Sequence, residues 1–290
     1  MKKVSVFFGL LLAASLLVAQ NSAFVTIQEA KSILGSKNVF GPKEIEKALG
    51  IKIDSMSVPP IPFSKKTLEK AKAMDMFIIL KMPLSINSLN DLLKGLVDKE
   101  AKLLYNYDLR SGKLKKSAWY TNMDWFTKPE NDKPYWTLDS KSLLVNSINR
   151  NYVQQTERIY DYLTNKIFVG DSISLVYKEA LTQWDSICPI IKKMISVIND
   201  CEPQCDSLLD VAKINLFCRP TPFDVVYDLA IILKITKKRM FTGVKIMTNV
   251  RDKDGLRVSV GYFDIKGMAI DAIATEDPDE ETGSLFIQKL

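Results

Sequence analysis

The stretch TPFDVVYDLAIILKI (221–235), followed shortly by VKIMTNVRDKDGLRVSVGYF (244–263), decides the fold class. In the first, Thr221 stands as an N-cap and Pro222 suits the first helical turn. Val225, Val226, Leu229, Ala230, Ile232 and Leu233 make an apolar face too wide for a surface helix, which predicts a helix buried at the centre of a bundle. After Gly243 the apolar period drops from helical to two. Val244–Val250 and Leu256–Phe263 flank Asp252-Lys-Asp-Gly255, a hairpin signature. Two more strands, Met268–Ile273 and Ser284–Gln288, enclose an acidic loop over 276–281. The chain therefore reads as α+β: a mostly helical body followed by a small C-terminal antiparallel β-module.

Upstream, the helices are marked by their ends. Thr26 opens a helix over 26–34 and Pro42 one over 42–49, with Gly35 and Gly50 as stops. Ser64 caps a helix over Lys65–Met74, Phe77–Leu80 reads as a buried strand, and a further helix is expected over Ser88–Val97. Tyr152, Thr156, Ile159, Leu163 and Ile167 keep a near-helical period. Val176, Ala180, Trp184 and Ile187 continue it as far as Pro189, where a break is expected.

Four cysteines fall at Cys188, Cys201, Cys205 and Cys218, spaced C-x12-C-x3-C-x12-C. Pro189–Asp200 and Asp206–Phe217 read as two helices, with Asp206 as an N-cap, and Cys-Glu-Pro-Gln-Cys between them makes them antiparallel. Pairing Cys188 with Cys201 would span ~18–20 Å along a helix, whereas a disulfide tolerates ~4.4–6.8 Å between Cα atoms. Nested bonds are expected, 188–218 outside and 201–205 inside, giving a disulfide-linked helical hairpin. The same distances argue against a four-cysteine metal site.

Lys2 and Lys3 precede an uncharged run of 16 residues, Val4–Ala19, with small side chains at Ala19, Ser22 and Ala23. That is a secretory signal peptide, shorter than the ~20 residues a membrane span needs. An uncleaved N-terminal anchor is the alternative. Cleavage leaves about 267 residues, room for one large domain or two modest ones. Losing the two lysines takes the formal charge from +6 to +4. The basic residues are scattered, so nucleic acid is not an expected partner. No later stretch is long and apolar enough to span a membrane once the leader is gone. The expected location is periplasmic or extracellular, which suits the disulfides.

Histidine is absent. That removes Ser-His-Asp and Cys-His catalysis, histidine acid–base work and zinc sites built on imidazole. No Ser-x-x-Lys, Walker or dinucleotide-binding motif occurs either, so no cofactor is expected.

Eight aromatic residues crowd Tyr105–Trp136, with a turn signal at Arg110-Ser-Gly-Lys113, so an aromatic-rich hairpin is expected there. Trp119, Trp125 and Trp136 are the candidate binding residues, because flat amphipathic rings stack on sugars as readily as they fill a core. Asp124 with Glu130 or Asp132 is the candidate carboxylate pair of a glycosidase. Asp252-x-Asp254-Gly255 resembles a calcium loop only weakly and is better read as a turn.

Phe40-Gly-Pro42, Ile61-Pro-Phe-Ser64 before Leu68-Glu-Lys-Ala-Lys72, and Asp254-Gly255…Val258-Ser-Val-Gly261…Phe263-Asp264…Gly267…Pro278-Asp279 carry a resemblance. The chain resembles an uncharacterised family of exported bacterial proteins from small-genome lineages; its motifs are turn and packing residues and imply no activity. The last loop and strand are faintly similar to C-type-lectin-like modules, although no Trp or Cys follows Cys218.

The expected organisation is a signal peptide over 1–23, an α+β region with the aromatic hairpin over 24–140, a helical bundle over 141–240 and the β-module over 241–290. The expected function is a non-enzymatic exported binding or interaction protein of the bacterial envelope, with glycan or another envelope protein as partner. The alternative is a histidine-independent, carboxylate-based hydrolase of cell-wall glycan. Nothing in the sequence signals a particular oligomeric state.

Overall fold

The computed structural model describes residues 24–97, 103–105, 118–169, 174–198 and 203–289. The expected leader over 1–23, Cys201 and the expected turn at 110–113 lie outside them, so the expected aromatic hairpin falls largely outside as well. Its described part is a 3-10 turn over Trp119–Asn122 and the short helix α5 (Asp124–Thr127).

Side-chain caps start the helices where the sequence places them. Thr26 and Glu29 form a capping box on α1 (Ile27–Leu34). Helix α2 (Pro42–Leu49) has proline in its first turn and ends at Gly50 in the left-handed region. Ser64 accepts from the Thr67 N–H at the start of α3 (Lys65–Ala73), and Ser85 does the same for Ser88 on α4 (Ile86–Leu92). Each such cap satisfies backbone donors that a helix start leaves without partners.

The strands form two sheets. In the first, β1 (Val39–Phe40) runs parallel to β2 (Met76–Lys81), which pairs antiparallel with β4 (Tyr135–Ser140), and β4 pairs antiparallel with β9 (Ile287–Lys289). In the second the order is β3 (Leu104–Tyr105), β7 (Gly267–Ile273), β6 (Arg257–Asp264), β5 (Lys245–Arg251), β8 (Thr282–Gly283). The expected hairpin is β5–β6, closed by Asp252, whose carboxylate accepts from the Asp254 and Leu256 N–H groups, with Gly255 at φ +88°. Sheet membership crosses the sequence blocks: β9 joins the first sheet, and β3 joins the second.

Helix α10 (Pro222–Thr236) packs against β2 of the first sheet and β5 and β6 of the second. Every residue from Pro222 to Leu233 is buried, as the wide apolar face requires. Helix α6 (Tyr152–Tyr162), extended by a π-helical turn over Leu163–Ile167, lies beside α9 (Lys213–Cys218). The observed class is α+β.

The helical hairpin is not as expected. Helix α7 (Leu175–Ile198) runs straight through Pro189. Its buried positions Tyr177, Leu181, Trp184 and Ile191 keep one face across the proline, and that burial outweighs the one backbone hydrogen bond a proline removes. The second helix is split into α8 (Pro203–Asp210) and α9. Gln183 of α7 satisfies the break, accepting from the Lys213 N–H at 2.8 Å and donating to the Val211 carbonyl at 3.4 Å. Asp206 is no N-cap: it lies inside α8, its carboxylate turned to Arg257 at 2.7 Å. Cys188 and Cys218 are free thiols, so the outer disulfide is absent. Phe217, next to Cys218, sets its ring 6.4 Å from that of Tyr177, and Tyr177 is eleven residues, or ~16 Å of helix, before Cys188. The inner bond falls on Cys201, outside the described residues; Cys205 is buried and is not a free thiol.

Candidate functional site

The structure brings two of the three candidate tryptophans together. Trp119 and Trp125 meet edge to face with ring centroids 6.2 Å apart, and Tyr120 and Phe126 complete the cluster. Both tryptophans are half-buried against the core. Trp136 lies apart on β4, 2% exposed, with its indole N–H donating to the Pro59 carbonyl at 2.9 Å. Its edge closes an apolar cleft of about 350 Å³ with Phe24, Ile27, Val58 and Pro60.

The candidate carboxylates are engaged elsewhere. Asp124 pairs with Lys128 at 2.9 Å on the surface. Glu130 accepts from Lys289 at 2.7 Å and from the Thr221 hydroxyl at 2.6 Å. Asp132 is exposed. None of the three lines the cleft at Trp136 or the groove described below.

The densest cluster of charge is sealed. β-Pleating puts Lys81, Asp139 and Lys289 on the face of the first sheet that meets α10. Lys81, wholly buried, pairs with Asp228 and lies 3.7 Å from Asp224 and 3.8 Å from Asp139. Lys289 completes the cluster at 2.6 Å from Asp224, which also accepts from the Tyr135 hydroxyl at 3.3 Å. Burial pushes the Asp228 carboxyl well up and raises that of Asp139. Burial works the same way on Asp224, but Lys289, Lys81 and the Thr221 N–H overcome it and hold that carboxyl at about 2. With Lys81 and Asp139 inaccessible, this network ties sheet to helix and offers no surface to a substrate.

A second buried set joins the other sheet to α6. The Tyr152 ring is sandwiched between the guanidinium groups of Arg219 at 4.0 Å and Arg257 at 4.2 Å. Arg257 reaches Asp206 and Asp210, while Arg219 donates to neutral groups: Asn215, Gln155, Ser284 and Thr156. Burial pulls Arg219 down to about 10.

The accessible candidate is a groove of about 200 Å³ along α3. Ser64, Lys66, Thr67 and Lys70 form one wall, Ile167 and Phe168 the other, and Leu138 and Gln288 of the first sheet the floor. Lys70 is held in place by the Ile167 and Val169 carbonyls at 3.2 and 2.6 Å. Ser64 and Thr67 share a hydroxyl hydrogen bond of 2.9 Å at the helix start. Gln288 is 6% exposed, and its side-chain carbonyl has no partner among the described residues. No carboxylate occurs among the described lining residues. The groove was not read from the sequence. Its one visible signal is Gln288, a polar residue sharing a strand face with Phe286 where period two calls for an apolar one. No family model matches this chain, and no curated protein or solved structure is significantly similar to it.

Proposed function

We propose that this chain is an exported, non-enzymatic binding protein of the bacterial envelope, that the α3 groove is its binding site, and that an envelope glycan is its ligand. One observation carries the reading. The groove combines apolar surface from Met74, Met76, Leu138, Ile167 and Phe168 with a few hydrogen-bonding groups, the make-up of a ligand pocket, and has no carboxylate among its described lining residues. The carboxylates that hydrolysis would need are tied to Lys128 and Lys289 or lie away from it. Export rests on the leader, Lys2 to Ala23. Among the described residues no helix is long and apolar enough to cross a membrane.

Co-sedimentation of the purified full chain with insoluble cell-wall glycan tests this, with soluble reducing ends assayed in parallel. Retention without release is expected, weakened several-fold by Lys66→Glu at the groove wall. Release of reducing ends that disappears when Asp124, Glu130 and Asp132 are replaced together by their amides would make the protein a hydrolase.

A further inference from the structure

We propose that Lys81 and Asp228 condense into an intramolecular amide bond that locks β2 to α10, with Asp139 carrying the proton that the reaction moves. Such a cross-link is independent of the α3 groove. The ion pair is the unlinked form of the chain, and the titration of the network belongs to that form.

Enclosure is the first requirement. The Lys81 and Asp139 side chains have no exposure and that of Asp228 has 8%. The Lys81 nitrogen pairs with Asp228 Oδ1, so it already touches the group whose carbon it attacks. The Tyr227 ring lies 5.4 Å from that nitrogen. Reactants held in contact no longer need an encounter, and effective molarities reach ~10⁵–10⁸ M in well-oriented cases. Water, which drives an amide back to acid and amine, is kept out. Two buried charges become one neutral amide, which removes the desolvation that the pair bears.

Two other lysine–carboxylate contacts each lack one of these features. Lys245 lies 2.9 Å from Asp271, but that carboxylate is 56% exposed and open to water. Asp224 is 2.6 Å from Lys289 and accepts from the Thr221 N–H at 2.9 Å, donors that keep it an anion. A carboxylate anion resists attack by an amine. Burial pushes the Asp228 carboxyl up, so it takes a proton readily and becomes the better electrophile.

The step balances. One proton passes along the hydrogen bond from the Lys81 ammonium to the Asp228 carboxylate. The Nζ lone pair then attacks Cγ and the N–C bond forms. Asp139, whose Oδ2 lies 3.8 Å from Nζ, takes a second proton from that nitrogen and hands it to the Asp228 hydroxyl. The C–O bond breaks and the hydroxyl leaves as water. The ammonium has lost two protons, the carboxylate one oxygen, and Asp139 is unchanged. The Thr137 hydroxyl orients Asp139 by donating to Oδ2 at 2.7 Å. Asp139 Oδ1 has no hydrogen-bond partner among the described residues and is available to the transfer. A cavity of about 10 Å³ beside Asp228 is at the lower end of the ~10–15 Å³ that one water occupies. The bond closes a loop between residues 147 apart in sequence, and a reductant does not undo it.

Mass spectrometry of the purified full chain, reduced and denatured, tests this. The parent should be lighter by one water than its sequence requires, whereas Lys81→Arg and Asp228→Ala should have full mass. Tryptic mapping should recover the peptides of Lys81 and Asp228 as one branched species, uncut after Lys81. Asp139→Asn should match the parent in near-UV circular dichroism yet link ~10²-fold more slowly after synthesis. Linking at the parental rate overturns the role of Asp139. A folded parent of full mass overturns the bond itself, and that reading needs no variant to fold. A missing water mapped to a cyclic imide at Asp254-Gly255, or to another lysine, overturns it equally.

Discussion

The Lys289 ammonium lies 2.6 Å from the Asp224 carboxylate and joins the last strand of the first sheet to the first turn of the central helix. Glu130 takes the same ammonium at 2.7 Å, so one side chain closes strand, loop and helix together. Lys289→Met removes the nearest cation from a carboxylate that has no exposure. Breaking a buried pair from one side costs ~3–5 kcal/mol, and that is the loss expected in urea unfolding. A loss under ~1 kcal/mol would mean that Lys81 and Thr221 suffice.

The same network gives stability a pH dependence of two signs. Asp224 is held at about 2 in the fold against ~3.9 when unfolded, worth about 2.6 kcal/mol. A depressed carboxyl stabilises above its unfolded value, so this contribution is lost as pH falls from about 4 toward 2. Asp228 and Asp139 are raised by burial; their contribution is present below about 4 and declines as pH rises toward their folded values. Melting temperatures across pH 2–7 should show Asp224→Asn losing the acid-side fall. Asp228→Asn should flatten the decline on the other side. Unchanged profiles in both variants would rule out this assignment of the charges.

Tyr152 separates two buried arginines, and its hydroxyl has no partner among the described residues. Tyr152→Phe should therefore be neutral or slightly stabilising, since it keeps the ring and removes an unsatisfied polar atom. Tyr152→Leu loses both cation–ring contacts and brings Arg219 and Arg257 together without a screen; about 2–4 kcal/mol is expected. Equal effects of the two substitutions in chemical denaturation would show that the ring has no special role.

What was legible was local. Thr26, Ser64 and Thr221 cap their helices within three residues of themselves, and Asp252 with Gly255 closes its own hairpin, so each could be read without the rest of the chain. The break between α8 and α9 depends on Gln183, 30 residues from Lys213 in sequence, and no local pattern contains it. Pro189 marks a helix end by propensity, but the packed face of α7 overrides it. Asp224 and Asp228 were visible as charges inside an apolar helix, and their spacing was a signal for a buried partner. That partner, Lys81, ends a strand 147 residues before Asp228. The α3 groove needs Leu138 and Gln288 beside a helix from the other end of the chain, a juxtaposition that only sheet topology makes.

Gly261 is fixed by close approach rather than by its dihedral angles. A Cβ there would meet the Val244 carbonyl oxygen and come 2.6 Å from the Lys245 Cα, both backbone atoms of the neighbouring chain segment. Backbone cannot rotate away as a side chain can, so Gly261→Ala should cost at least the upper part of the ~1–3 kcal/mol typical of overpacking. Thermal melting should register it, with loss of β5–β6 amide protection in hydrogen exchange. A variant melting like the parent would mean that the two strands separate freely at this point.

The free thiols can be told apart without disturbing the fold. Cys188 sits mid-helix and half-buried beside Glu157 and Lys192, with its thiol raised by burial. Cys218 is wholly buried at the end of α9 and is raised further by the same cause. Thiolate is the reactive form, and access limits it as well. Native alkylation should therefore label Cys188 slowly and leave Cys218 untouched until denaturant is added. Peptide mapping without reduction should recover 188 and 218 on separate peptides. Their bonding would require the end of α9, where the Phe217 ring meets that of Tyr177 at 6.4 Å, to slide along α7 toward Cys188, eleven residues beyond Tyr177. Because Gln183 holds the Lys213 N–H at 2.8 Å, such a slide would also tear α9 from the break it starts at. A mapped 188–218 bond would accordingly overturn the packing of α9 on α7, and with it the position of Tyr177, whose hydroxyl donates to the Lys289 carbonyl at 2.9 Å.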